Sequence, residues 1–249
     1  RSGVCATEAF DVSPYATAAT GFFLRNAANQ NLPRKLKVCF SGCRKDCALP
    51  LIHDVGAVAA LRRGAGGREE RGFEIFLAGG LGAQPREARP LEDFTPAGDL
   101  LVTLSAVIRV FDRLGNRDEK RLGRMKCVVD RIGWPTFKQQ VLIERGRLKL
   151  LDRDAFPEVP VWTERPGADV ATDAAPAPSD PPGYRRWLAG CVSAQKQDGY
   201  ALVHVRLELG DVTAAQLRVL AETVRRFSNG TLRTTNQQNL ALRWVPGAR

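Results

Sequence analysis

Alternation and helical periodicity divide this chain into legible pieces. Residues 34–40, "RKLKVCF", alternate: Leu36, Val38 and Phe40 fall on one side, Lys35, Lys37 and Cys39 on the other. That is the period-two pattern of a half-buried strand with a basic face. "FEIFLAGGLG" (73–82) reads as a second strand, ending in a turn at Gly79, Gly80 and Gly82. The period then changes. In "DLLVTLSAVIRVFDRLG" (99–115), Leu100, Leu104, Ile108 and Phe111 recur at helical spacing, with Asp99 where an N-cap belongs and Gly115 where a helix stops. "RLGRMKCVVDRIG" (121–133) predicts a further helix.

A second legible region follows residue 182. "LVHVRLEL" (202–209) alternates Val203, Val205, Leu207 and Leu209 against His204, Arg206 and Glu208. Thr213 and Gln216 have capping-box spacing, and Leu217, Leu220, Val224 and Phe227 outline a buried helical stripe after them. "NGTLRTTNQQNLALRWV" (229–245) turns and continues as a strand pair, so the order strand–helix–strand suits a small α+β module. Between the two regions, residues 152–182 hold seven of the fifteen prolines and almost no apolar period. The expected organisation is therefore a larger unit over 1–150, a proline-rich linker over 151–182 and a smaller unit over 183–249, of α+β class overall.

Composition narrows the function classes. The hydrophobic fraction of 44% over 249 residues is that of a globular protein. No apolar run approaches the ~20 residues that cross a membrane, and no leader pattern is visible, so a cytoplasmic location is expected. The net charge is +10. The basic residues are scattered, without an aromatic-rich basic strand or zinc-finger spacing, so nucleic acid is not indicated. General solubility accounts for such an excess; so would a polyanionic cofactor or an acidic protein partner.

The six cysteines carry the chemistry. In a chain of this size without an export signal, reduced thiols are expected. Cys43 and Cys47, in "GCRKDC", have C-x3-C spacing, compatible with a disulfide, zinc or an iron–sulfur cluster. Zinc would need a second pair close by, and His53 alone does not supply it. A redox dithiol would show C-x-x-C, which is absent here. A [4Fe–4S] cluster needs four thiolates; Cys5, Cys43 and Cys47 offer three, and Cys39, on the lysine face of its strand, is a weaker fourth. Cys127 and Cys191 read as ordinary buried residues. Lys35 and Lys37 share a strand face, so both can reach one bound anion, or they form a solvated edge.

Several motifs in order carry a resemblance. "NLPRKLKVCFSGCRKDC", then "IHDVG", "GFEIFLAGGLG" and "RVFDRLGNRDEKRLGRMKCVVDRIGWPTFKQQV" resemble the sirohaem-dependent nitrite and sulfite reductases. Residues 195–245 resemble their ferredoxin-like half-domain, with its "LR-x-T-x-x-QN-L" signature. The resemblance implies two pseudo-symmetric halves with sirohaem between them. It also implies a cysteine thiolate bridging the haem iron to a [4Fe–4S] cluster. The family's cluster pattern is C-x5-C followed by G-C-x3-C. Gly42-Cys43 and Cys47 match the second pair, with Cys47 as the bridge, and Cys5 matches the second member of the first, whose partner would fall before Arg1.

The same resemblance assigns Lys35 and Lys37 to the substrate anion. It assigns Arg34, Gly79, Gly80, Gly82, Arg233, Gln238 and Asn239 to the cofactor's surroundings. The implied activity is six-electron reduction of nitrite to ammonia or of sulfite to sulfide, with electrons from ferredoxin or a flavoprotein. The family divides the lysine stretch and the cluster cysteines between its two halves, whereas one unit holds both here. The chain opens at Arg1 and has half the family's content, so the middle of a longer protein, with a possible second half-chain as partner, is expected. The alternatives are a non-catalytic iron–sulfur electron-transfer or sensor protein, and a structural half that completes a partner's pocket.

Overall fold

The first two strands of the larger unit run parallel, and this decides where the cysteine loop lies. β1 (Val38–Ser41) pairs β2 (Val55–Arg63) with Val38 opposite Val55 and Ser41 opposite Val58. Parallel strands cannot be joined by a tight turn; the chain must travel back along the strand through roughly a dozen residues or more. Residues 42–54 are that connection, and they carry Cys43 and Cys47. β3 (Glu69–Leu77) and β4 (Arg89–Pro96) add antiparallel, giving the order β1-β2-β3-β4. This computed structural model describes residues 2–151, 155–166 and 182–247. They form two compact units, one of Ser2 with Glu8–Trp162, the other of Gly3–Thr7 with Thr163 onward.

Four helices belong to the larger unit: α1 (Ser13–Phe23), α2 (Leu100–Leu114), α3 (Met125–Ile132) and α4 (Trp134–Leu151). The apolar stripe of α2 is buried as its period requires, with Leu100, Leu104, Ile108 and Phe111 all in the core. Phe137, Val141 and Leu148 of α4 join the same core, as do Phe73 and Ile75 of β3. Asp99 does not cap α2 with its side chain. Its carboxylate pairs with Lys149, while its carbonyl accepts from Thr103 Oγ1 at 2.7 Å.

The strand expected at 34–40 begins only at Val38. The N–H of Lys37 donates to the Asp54 carboxylate at 3.0 Å instead of entering a ladder. The alternation survives nonetheless: Leu36, Val38 and Phe40 pack on the core, while Lys35 and Lys37 are exposed.

In the smaller unit, β5 (Val192–Ala194), β6 (Tyr200–Val205), β8 (Leu240–Pro246) and β7 (Leu232–Thr234) lie in that order, all antiparallel. α5 (Tyr184–Cys191) precedes the sheet and α6 (Ala214–Phe227) connects β6 to β7. The capping box at Thr213 and Gln216 is formed. Gly3–Thr7 belong here because Val4, 1% exposed, packs with Leu202, Ala241 and Trp244.

Two expectations for this unit are corrected. The buried residue of β6 is Leu202, opposite in phase to Val203 and Val205, and Leu209 is 89% exposed. Pairing with β8 skips a residue between Ala201 and Val203, at a bulge where Trp244 adopts φ +61°. The bulge's extra residue lies on β8, and alternation along β6 groups its side chains onto two faces without choosing the core side. The stripe on α6 is also mostly uncovered: Val224 is buried, but Leu217 and Phe227 are exposed. Cys127 and Cys191 are half-buried, not buried.

Of the proline-rich stretch, residues 152–154 and 167–181 lie outside the described residues. In the described part, Phe156 and Val159 pack on the core of the larger unit. No described helix is long and apolar enough to cross a membrane.

Candidate anion and iron–sulfur site

The loop after β1 is pinned at both ends. At its start, the N–H of Ala9 donates to Gly42 O at 2.7 Å, and Ser41 Oγ donates to Cys43 O at 2.8 Å. A Cβ on Gly42 would lie 3.0 Å from the Glu8 Cβ and 3.3 Å from Phe10 O, a tight fit on both sides. At its end, Pro50 lies over Gly56 so closely that a Cβ there would meet Pro50 O at 2.6 Å. Between these anchors, Asp46 and Leu49 adopt φ +56° and the N–H of Leu49 donates to Asp46 O at 3.0 Å, turning the chain sharply around Cys47.

The thiols differ in exposure. Cys43 is buried and Cys47 exposed. Cys39 donates to Ala48 O at 3.2 Å, and burial, aided by the Asp46 charge, pushes its thiol up to about 11. Cys39 is thus held as a hydrogen-bonded thiol on β1, outside the loop that carries Cys43 and Cys47. Cys5 belongs to the smaller unit, beside Thr7 Oγ1 at 3.4 Å.

The lysine stretch splits in two. Arg34 and Lys35 line a cavity of about 490 Å³ together with Arg25, Leu36 and Val38. Lys37 is anchored elsewhere. Its N–H and carbonyl bond the Asp54 carboxylate and the Val55 N–H, both at 3.0 Å. Asp54 is fully buried and its other oxygen accepts Nε and Nη2 of Arg124 at 3.0 and 2.8 Å.

Arg124 in turn runs over the glycine turn, where a Cβ on Gly80 would lie 3.2 Å from its Nη2. Lys126, 8% exposed, donates to Leu81 O at 3.0 Å and Gln84 O at 2.6 Å in the same turn. Gly79 is packed against carbonyls: a Cβ there would stand 2.3 Å from Leu51 O and 2.6 Å from His53 O. Gly82 has φ +110° and open space around its Cβ position. Gly79→Ala is therefore expected to cost about 1–3 kcal/mol by overpacking against rigid backbone. Urea unfolding of the purified protein measures it, and a wild-type midpoint would show that the turn yields freely.

In the smaller unit the signature residues hold the fold. Asn239 Oδ1 accepts the Leu207 N–H at 2.8 Å, and the Asn239 N–H donates to Thr235 Oγ1 at 3.1 Å. Gln238, at φ +60°, lies against Gly210, where a Cβ would meet its side chain at 3.1 Å. Arg233 Nη2 donates to Glu164 at 3.0 Å, and Glu164 also pairs with Arg243.

The donors present suit part of an iron–sulfur ligand set. Two thiols on one pinned loop match half of what a [4Fe–4S] cluster requires, while no three Cys, His, Asp or Glu side chains among the described residues are grouped as a metal set. The cations lining the cavity suit a ligand rich in carboxylates or a small oxyanion. Sequence reasoning missed Asp54, Arg124, Lys126 and Glu164. "IHDVG" was a visible motif, but nothing local marks its aspartate as buried against an arginine 70 residues away.

Residues 1–149 match the family described as "Nitrite and sulphite reductase 4Fe-4S domain". Residues 193–249 match the "Nitrite/Sulfite reductase ferredoxin-like half domain". The chain is 28% identical over 246 residues to the chloroplastic ferredoxin–nitrite reductase of Oryza sativa subsp. japonica, covering 97% of this chain and 37% of that protein. It is 28% identical over 222 residues to the assimilatory ferredoxin-dependent nitrite reductase of Haloferax mediterranei, covering 88% and 35%. The solved structure of the NirA protein of Mycobacterium tuberculosis matches with a TM-score of 0.71 at 22% identity, over 98% of this chain and 39% of that one. The chain thus spans little more than a third of the length of these relatives. Its two matched segments cover most of its residues in order, and the chain belongs to the nitrite and sulphite reductase family.

Proposed function

We propose that this chain is part of a reductase that takes nitrite, or sulfite, at a sirohaem coupled to a [4Fe–4S] cluster, the two cofactors its family membership implies. The observation that carries the reading is the pinned β1 region. It presents Arg34 and Lys35 to a cationic cavity and holds Lys37 by its backbone, directly before a loop with two thiols. In this reading Cys43 and Cys47, with Cys5, would hold the cluster iron, and Cys47 would link it to the haem. The haem, when bound, would supply an iron that holds the anion and passes to it electrons received through the cluster. Lys35 and Lys37 offset the charge on the anion's oxygens and hold protons for them as they leave as water. Arg34, Arg233 and the backbone of Gly79, Gly80 and Gly82, with Gln238 and Asn239, line the cofactor's surroundings. The relatives' names favour nitrite as substrate and ferredoxin as donor over sulfite and a flavoprotein. A cytoplasmic location belongs to the same proposal.

One observation favours a second reading, a structural half that completes a pocket in a partner: the described residues do not gather three metal-ligating side chains. The full-length gene product separates the readings. Sirohaem absorption, with turnover of nitrite by reduced methyl viologen, is the expected result. Broad cluster absorbance alone would indicate an electron-transfer or sensor protein, and a colourless product the structural half. Cys47→Ser is expected to abolish haem–cluster coupling; a coupled spectrum surviving that change would remove Cys47 as the bridge.

A further inference from the structure

The buried ion pair beside the lysine stretch joins two segments that the function needs in register. A fully buried carboxylate is retained only when its oxygens are answered. Those of Asp54 are taken up by the Arg124 guanidinium and by the backbone N–H of Lys37. The guanidinium lies against Gly80, and two residues further on Lys126 grips the Leu81 and Gln84 carbonyls. The start of α3 therefore holds the end of the lysine stretch with one cation and the glycine turn with the next. We propose that Asp54, braced by Arg124, is a positioning residue for anion binding, fixing the backbone at Lys37 relative to the glycine turn. The inference rests on the reading of Lys37 as an anion ligand. A misplacement of about an ångström costs up to about a hundredfold in rate where geometry is tight, and the brace would act on the anion through the Lys37 backbone without touching it.

The test uses the full-length, cofactor-loaded gene product. Three quantities are followed: sirohaem content, nitrite affinity from the nitrite-induced change in the haem spectrum, and hydrogen exchange of the Lys37 amide. Asp54→Asn is expected to speed exchange at Lys37 and to weaken nitrite binding about tenfold or more, with sirohaem content unchanged. Lys37→Ala is expected to weaken nitrite binding without loosening its own amide. If the single change at Asp54 leaves the protein unfolded because Arg124 then stands buried alone, Asp54→Asn with Arg124→Gln removes both charges together and carries the same expectation. Normal protection at Lys37 in the folded variant, or fast exchange with unchanged nitrite affinity, overturns the proposal. Unchanged nitrite affinity in Lys37→Ala sinks the anion-binding reading of that lysine instead, and this inference with it.

Discussion

Replacing Phe73 with alanine will cost the larger unit about 3–5 kcal/mol of stability, the usual range for deleting a fully buried phenylalanine. Phe73 is 0% exposed at the middle of β3. Three rings meet it edge-on: Tyr15 at 5.0 Å, Phe10 at 5.5 Å and Phe40 at 6.2 Å between centroids. Such pairs contribute about 0.5–1.5 kcal/mol each beyond area burial, and no neighbour can close the gap without abandoning that geometry. The consequence reaches the candidate site. Phe40 belongs to β1, two residues before Gly42, and Phe10 follows Ala9, whose N–H holds Gly42 O. The Phe73 ring thus supports, from both of its sides, the anchor at the start of the loop that carries Cys43 and Cys47. Urea unfolding should show the loss as a lower midpoint at constant slope, and hydrogen exchange at Ala9 should rise before the global transition. A loss below about 1 kcal/mol would mean that the three rings repack around the hole.

The parts of this protein that follow a single local period were legible from sequence. α2 is the plainest case, because one continuous stripe is buried along its whole length. The Thr213–Gln216 cap was legible for the same reason: it depends on neighbours within a few residues. β6 buries Leu202 and not the Val203 and Val205 face, because alternation sorts side chains onto two faces without saying which of them the module covers. The α6 stripe was expected to be buried, yet burial depends on what covers a face, which periodicity does not contain. At the candidate site, the lysines and the cysteine spacing were visible as residue types. What fixes them was not: Asp54 reaches across 70 residues to Arg124, and Lys126 reaches back 45 to Leu81. Those bonds exist only once the sheet and α3 are in place.

Glu164→Gln is expected to destabilise the smaller unit by about 3 kcal/mol at neutral pH, the lower end of what removing one partner of a buried ion pair costs. The lower end applies because Glu164 keeps 21% of its side chain exposed. Its partner Arg243 lies inside β8 at 1% exposure and would lose the carboxylate charge it pairs with. Arg233, from the neighbouring β7, holds the other carboxylate oxygen. Partial burial by itself would raise the Glu164 carboxyl, but hydrogen bonds and charge from Arg243, and then Arg233, outweigh it and hold it below the usual glutamate value. The sign of the pH dependence follows. A lowered folded-state value means that the unfolded chain takes up the proton more readily, so the contribution is complete above about pH 4.5, the ordinary glutamate range. It fades as the pH falls through the folded-state value. Wild type and Glu164→Gln should therefore differ most near neutrality and converge in acid, which thermal unfolding across that range will measure. A gap that stays constant down to strongly acid pH would show that the carboxylate charge is not what Arg243 requires. Glu164→Gln combined with Arg243→Met should recover much of the loss, since both charges of the buried pair are then removed together.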